Sequence, residues 1–347
     1  MRLKILFLSH RFFPDVGGIE VNSEILAQAF HHAGHTVRLL TWTKDTSVKQ
    51  FSFEVLRQPS LLTLVQQHMW ADVVYENNPC LRLSWPALFL NKPVVTALRT
   101  WVSRTNGEMH WQDKLKLRWL SRARRVIAVS DSVRKRCWPS ATVIPNPYRA
   151  DVFKNSSAAD VKRGFVFLGR LVSDKGADLA VRALYKLYNI NGDKGNSSSY
   201  SDYRLTVVGD GPERKKLETL AEELGLTPHI FFAGVLQGDD LVTCLNQHKY
   251  LLVPSVWEEP FGNVALEGMA CGCLPIVSDG GGLPEAVGDA GLVFSRNNLN
   301  ELTSCILNLL QDKRLEEGIR TAAANHLQAH RPDVIARRYL RVIESVK

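Results

Sequence analysis

Short apolar runs alternate with helix-length amphipathic stretches along most of the chain. "LKILFLS" (3–9), "TVRLLTW" (36–42), "ADVVYE" (71–76), "PVVTAL" (93–98), "RVIAVS" (125–130) and "TVIP" (142–145) are strand-length and rich in Val, Ile and Leu, and a helical pattern near 19–33 follows the first. Strands spaced by helices predict a parallel sheet wrapped by helices. The stretch "PNPYRADVFKNSSAADVKRG" (145–164), with two prolines and a serine pair, breaks the rhythm and reads as a linker.

The rhythm then resumes with "GFVFLGR" (164–170), "YRLTVVGD" (203–210), "IFFAGV" (230–235), "YLLVPS" (250–255), "LPIVSD" (274–279) and "GLVF" (291–294). Two doubly wound α/β domains are therefore expected, at 1–150 and 151–330, with a terminal helix at 331–347 packing back onto the first. "NINGDKGNSSSYSD" (189–202) is polar and of low complexity and reads as a surface loop. In open parallel sheets ligands sit beyond the carboxyl ends of the strands, and two such domains facing each other leave a deep cleft.

Composition alters this picture only through charge. With 45% apolar and 22% charged residues the chain is ordinary for a globular protein. Six cysteines (80, 137, 244, 271, 273 and 305) without a CxxC pair indicate neither a zinc site nor a disulfide framework. "MRLKILFLSHRFF" has too few apolar residues for a signal-peptide core, and no segment reaches the ~18 of a membrane span, so a cytoplasmic location is expected. The net charge of +8 is uneven: residues 1–150 hold 21 Lys/Arg against 10 Asp/Glu, and the remainder 22 against 25. A face of the first domain is expected to meet something anionic.

The candidate chemistry lies at the strand ends. Gly17 and Gly18 in "PDVGGIE" (14–20) precede a helix whose free N–H groups suit an anion, although a tight turn also explains a glycine pair. "GRLVSDKG" (169–176) brings Arg170 and Lys175 to one strand end, a planar fork and a point charge that fit a diphosphate; a solvated basic turn is the alternative. In "VVGDGPER" (207–214) Gly209 and Gly211 directly follow a strand. Pro212 and the missing third glycine disfavour a hydride-transfer site but leave backbone approach to a nucleotide open.

"EEPFGNVALE" (258–267) spans a strand-to-helix turn. Glu267, placed in the first turn of its helix, can accept hydrogen bonds from a ribose diol, and Glu259, in the loop, can orient a sugar hydroxyl. Phe261, Gly262 and Asn263 offer backbone N–H groups between them. A carboxylate favoured by the helix dipole and a solvated loop acid are the plainer readings of the two acids taken singly.

Taken together, these segments resemble a known family. "EPFGNVALEGMACG" (259–272) resembles the Glu-x7-Glu signature of the family 4 retaining glycosyltransferases, whose fold is GT-B, and "SDGGGLPEAVGDAGLVF" (278–294) resembles the segment that follows it. "PDVGGIE", "GRLVSDKG", "VVGDGPER", "VIPNP" and "FFAGVLQGDDL" are similar to the family's other landmarks in the same order. The resemblance implies an acceptor-binding first domain and a donor-binding second one. It implies hexosyl transfer from a nucleotide sugar, a UDP-sugar ahead of GDP-mannose, to a glycan or lipid-linked acceptor of the cell envelope or an exopolysaccharide.

Residue by residue, it implies that Arg170 and Lys175 grip the leaving diphosphate and that Gly18 approaches from the other domain. Glu267 would hold the ribose, and Glu259 with the 261–263 backbone the donor sugar. Gly281, Gly282 and Glu285 are similar to a second loop near the ligand. No metal or other cofactor is expected, because fixed cations can stabilise the departing oxygen and no Asp-x-Asp stands ready to hold a metal. Many members carry a histidine where this chain, in "VVTALRTWVSR", has Leu98 and Arg99. Arg99, His110 and His10 are the substitutes to consider, a structural role being the plainer reading of both histidines.

Residues 111–136 contain nine Lys/Arg, two tryptophans and two aspartates. One reading is a patch that holds the protein to the inner face of the plasma membrane beside a lipid-linked acceptor; the other is a solvated helix face forming a positive funnel for nucleotide sugars. Nucleic acid is not expected, since no recognition motif accompanies the charge. Two other functions compete: an isomerase of the nucleotide-sugar 2-epimerase type, which needs acids and a histidine arranged for proton abstraction, and a non-catalytic nucleotide-sugar binding protein.

Overall fold

The computed structural model describes residues 2–15, 17–44, 49–102, 110–156, 164–190 and 200–347. Residues 191–199 of the expected loop and 157–163 of the expected linker lie outside the described residues. The chain divides into two compact units, Met1–Tyr148 with His330–Lys347, and Arg149–Ala329.

In the first unit, strands β1 (Lys4–Leu8), β2 (Thr36–Thr41), β3 (Glu54–Arg57), β4 (Val73–Asn77), β5 (Val94–Leu98), β6 (Arg125–Ala128) and β7 (Thr142–Val143) form one sheet in the order β3-β2-β1-β4-β5-β6-β7. Every pairing is parallel. Helices cover both faces, which is why β1 is apolar at successive positions: Ile5 and Phe7 join one core cluster, Leu6 and Leu8 another. The helix Pro332–Glu344 buries Ile335, Ala336, Tyr339, Leu340 and Ile343 in the cluster of Phe7, Phe30 and Tyr75. Tyr75 meets Tyr339 edge-on at 6.0 Å between ring centroids.

The second unit repeats the plan with β8 (Phe165–Leu168), β9 (Leu205–Val208), β10 (Ile230–Gly234), β11 (Tyr250–Val253), β12 (Leu274–Ser278) and β13 (Leu292–Phe294) in the order β10-β9-β8-β11-β12-β13. In each sheet the strand order reverses once, between β1 and β4 and between β8 and β11. A parallel sheet opens a ligand crevice at such a reversal.

In the first unit a buried polar network lies at that reversal. The buried guanidinium of Arg99, just past β5, donates through Nε to Asn77 (2.6 Å), through Nη1 to Asn146 (2.9 Å) and through Nη2 to Tyr75 (2.9 Å), and it lies 4.9 Å from the centre of the Tyr339 ring. Asn77 donates to Ser23 (2.7 Å), whose hydroxyl also meets Ser9 (2.8 Å), and Asn22 donates to Asn146 (3.1 Å). Strands β1, β4 and β5, the helix Gly18–His32 and the terminal helix thus meet around one cation. Replacing Arg99 by Leu removes one donor from each of three buried acceptors and is expected to lower stability by about 2–4 kcal/mol. Urea unfolding followed by tryptophan fluorescence measures this; a midpoint equal to that of the wild type contradicts it.

Candidate functional site

In the second unit four loops leave the carboxyl edge of the sheet around the β8/β11 reversal. The loops after β8 and β9 cross at backbone distance. Gly169 donates to the Val208 carbonyl (3.0 Å) and Leu171 to the Asp210 carbonyl (2.9 Å). Gly209 sits at φ +134°, and a Cβ there would collide with the Gly169 carbonyl, so both the angle and the approach require glycine. Gly211 stands two residues further along the same crossing.

The loops after β8 and β11 are fastened by one carbonyl. Asp174 O accepts from the N–H groups of Val256 (2.9 Å) and Trp257 (3.1 Å) and from the Ser255 hydroxyl (3.0 Å). This sets Lys175, the last residue of the turn Ser173–Lys175, against Glu259. The Lys175 ammonium forms an ion pair with Glu259 Oε1, which also accepts from Ser255 (2.9 Å), and it lies 5.6 Å from the Trp257 ring. The two side chains are only 21% and 13% exposed.

Glu259 also anchors the fourth loop, after β12. Its backbone bridges Gly281, and its carbonyl accepts from Gly282 N–H (2.7 Å). Gly281 sits at φ +69° with no room for a Cβ beside the Glu259 carbonyl. Glu285 follows in the first turn of the short helix Leu283–Val287.

Phe261 is buried beneath the turn, and Gly262 caps the helix Asn263–Ala270. Glu267 is therefore the fifth residue of that helix, in its second turn, and not in the first as the sequence suggests. The helix starts as soon as the Pro260–Gly262 turn ends, which carries Glu267 past the N-terminus and its dipole. Glu267 is partly buried, and among the described residues no group donates a hydrogen bond to its carboxyl. Desolvation pushes its carboxyl up to about 7, against the opposing charge of Arg149. Arg170 is exposed and forms no ion pair among the described residues. The edge thus presents one uncommitted cation, one cation neutralised by a carboxylate, and one carboxyl without donors. That set suits a ligand carrying both an anion and hydroxyl groups.

The remaining candidates lie in the first unit. Gly18 opens the helix Gly18–His32 with Gly17 at its cap in extended conformation, and the Glu20 carboxylate of the first turn lies against Gly17. His10 is exposed just past β1, its carbonyl bound by Trp42 N–H (3.2 Å). His110 starts the helix Trp111–Leu120, its N–H donating to Asp113 (3.2 Å). Arg99 is enclosed in the network described above. Of the two tryptophans in the basic stretch, Trp111 is 71% exposed, whereas Trp119 is buried and donates to the Glu76 carboxyl (3.0 and 3.2 Å). The aromatic side chains therefore do not both interleave with the charge at the surface. Sequence reasoning missed Ser255, Trp257 and Arg149, which carry no motif signal of their own.

Among the described residues no cluster of three or more His, Cys, Asp or Glu is placed to hold a metal ion. None of the six cysteines forms a disulfide.

Comparison with known proteins gives a consistent result. The pattern of the family described as glycosyl transferases group 1 matches residues 149–326. An uncharacterized glycosyltransferase of Methanocaldococcus jannaschii is 32% identical over 179 residues, which cover 51% of this chain and 46% of the relative. The D-inositol 3-phosphate glycosyltransferase of Acidothermus cellulolyticus is 29% identical over 236 residues, 59% of this chain and 51% of the relative. The match thus spans about half the length of these relatives. Among solved structures, HepE of Anabaena in complex with UDP and glucose aligns with a TM-score of 0.80 at 20% identity, over 99% of this chain and 100% of that one. The fold is GT-B.

The raised carboxyl of Glu267 gives a test of the site without any ligand. Below its ordinary value of 4.5 the group is neutral in both the folded and the unfolded chain. As pH rises from there to about 7 the unfolded chain ionises first, so the folded state loses stability, and above about 7 the full penalty stands. A shift of this size corresponds to about 3–3.5 kcal/mol. Glu267→Gln should therefore be more stable than the wild type at pH 8 and nearly equal to it at pH 4.5, as read by urea unfolding at both values. A constant difference across that range would show that the carboxyl is not desolvated.

Proposed function

This chain belongs to the glycosyl transferases group 1 family, and on that premise we propose that it moves a hexosyl unit, with retention, from a nucleotide sugar to a hydroxyl of a glycan or lipid-linked acceptor, as a member of family 4. The observation that carries this reading is the four-loop junction at the β8/β11 reversal, where Arg170, Lys175, Glu259 and Glu267 sit at one sheet edge. Arg170, which holds no carboxylate among the described residues, takes the diphosphate first. Lys175 exchanges Glu259 for the phosphates as a hydroxyl of the donor sugar donates to Glu259. Glu267 accepts from the ribose diol, and this favours its ionised form.

The backbone at Gly209 and Gly211 lies at the nucleotide, and N–H groups at 261–263 support the sugar. In the transfer step charge builds on the departing phosphate oxygen, and Arg170 and Lys175 stabilise it there. That oxygen assists deprotonation of the attacking hydroxyl on the same face, so the reaction proceeds without a metal or other cofactor. Gly17, Gly18 and Glu285 are proposed as further donor contacts. A UDP-sugar is favoured over GDP-mannose because UDP and glucose occupy the HepE structure.

The acceptor belongs to envelope or exopolysaccharide synthesis in this reading, and the protein works in the cytoplasm or at the inner face of the plasma membrane. No described helix is long and apolar enough to cross a membrane. An epimerase is disfavoured, because the four loops that build the site (169–176, 209–213, 254–263 and 279–285) contain no histidine to pair with the acids.

A thermal-shift panel of UDP-, GDP- and ADP-sugars identifies the donor, and labelled transfer to lipid and glycan extracts then separates transfer from binding alone. UDP-sugars are expected to give the largest shift. Arg170→Ala should lower kcat by about 10²–10³-fold, and Glu267→Ala should mainly weaken donor binding. Normal turnover in the Arg170 variant contradicts the assignment. NMR of the product anomer tests retention.

A further inference from the structure

Between the helix Pro86–Phe89, the residues leading into β5 and the turn after the helix Trp111–Leu120, the first unit has a cavity of about 330 Å³. Leu88, Asn91, Lys92, Trp119, Arg122 and Arg124 line it, and no carboxylate does. Arg122 and Arg124 are exposed, and among the described residues their side chains form no ion pair. Lys92 is fixed in place, donating to the carbonyls of Met69 (3.1 Å) and Ala71 (2.7 Å). Trp119 is held as one wall by its hydrogen bonds to Glu76. Three cations around a small cavity are matched to a phosphate group.

The rim of this cavity is apolar and uncovered. Phe89 is 80% exposed and Leu88 39%. Along the helix that supplies Trp119, the same stripe continues through Leu115 and Trp111, spaced four residues apart and 46% and 71% exposed. Met69, whose carbonyl Lys92 binds, is 61% exposed. Large apolar side chains beside unpaired arginines are what an interfacial surface needs, the rings entering the acyl boundary and the cations meeting the headgroups. A protein partner would be expected to find carboxylates or paired charges on its counterpart's rim; here every charged residue of the described lining is a cation.

We infer that this face docks on an anionic phospholipid bilayer, with one headgroup phosphate in the cavity between Lys92, Arg122 and Arg124 and with Leu88 and Phe89 inserted beside it. The docking surface is thereby placed at 86–94 and 119–124, rather than along the whole of 111–136. It deepens the proposed lipid-linked acceptor, yet binding needs no sugar transfer, so the two stand or fall separately.

The test is flotation of the full chain, without donor, with vesicles of phosphatidylglycerol and phosphatidylcholine, against vesicles of phosphatidylcholine alone, at low and at physiological salt. The wild type should float only with the anionic vesicles. Phe89→Ser and the double variant Arg122→Glu/Arg124→Glu should each weaken binding at least about tenfold while keeping the thermal shift given by nucleotide sugars. Phe231→Ser, which removes an exposed ring of the second unit, should bind like the wild type. Equal binding by the Phe89 and Arg122/Arg124 variants, or none by the wild type, overturns the inference. So does saturable binding of inorganic phosphate at Arg122/Arg124 without vesicle binding, which marks a free-anion site. Self-association of the wild type that Phe89→Ser abolishes also overturns it, since the occupant is then a second copy.

Discussion

The ion pair between Lys175 and Glu259 joins the loops of the second unit into one site. A lysine and a carboxylate this far withdrawn from water each need the other, because either alone would be a poorly solvated charge. Their pairing depends on the Asp174 carbonyl, which draws Ser255, Val256 and Trp257 toward the loop after β8. It also fixes the Glu259 backbone, on which the loop carrying Gly281 and Gly282 is seated. A ligand that supplies a phosphate to Lys175 and a hydroxyl to Glu259 replaces both halves of the pair at once. An anion alone would leave the carboxylate beside it unscreened, so in the proposed function the pair favours ligands that carry both groups.

The two units share a topology but treat the same crevice differently. In the first, Ser9, Ser23, Asn77, Arg99 and Asn146 satisfy one another, and the cation at the end of β5 is spent on holding the terminal helix through Tyr75 and Tyr339. In the second, the Arg170 guanidinium and the Glu267 carboxyl form no hydrogen bond or ion pair among the described residues. Spare polar capacity at a strand reversal marks a binding edge more surely than the reversal itself, which both sheets possess.

Most of this was legible in the residue pattern because the buried strands are apolar on both faces and the loops carry glycines with steric reasons to be there. Gly209 and Gly281 are each required by a carbonyl that a side chain would strike. The edge strand β3 is absent from the strands read in the sequence, since Glu54–Arg57 is largely half-buried and begins and ends on a charged residue. Three further features could not be read from spacing. The turn of Glu267 depends on where the helix begins, the inward orientation of Trp119 on the buried Glu76 carboxyl, and the enclosure of Arg99 on residues as distant in sequence as Asn146 and Tyr339. Long-range hydrogen bonds leave no local periodicity, so a motif can name a residue without revealing whether its side chain is free.

The central claim is that the four loops at the β8/β11 edge form a nucleotide diphosphate site. Amide hydrogen exchange with and without UDP addresses it directly, because backbone protection reports binding at each loop whether or not turnover occurs. The account predicts new protection in 169–176, 209–213, 254–263 and 279–285, with little change at the far ends of the same strands. Protection confined to other segments of the second unit, with these four unchanged, would contradict it.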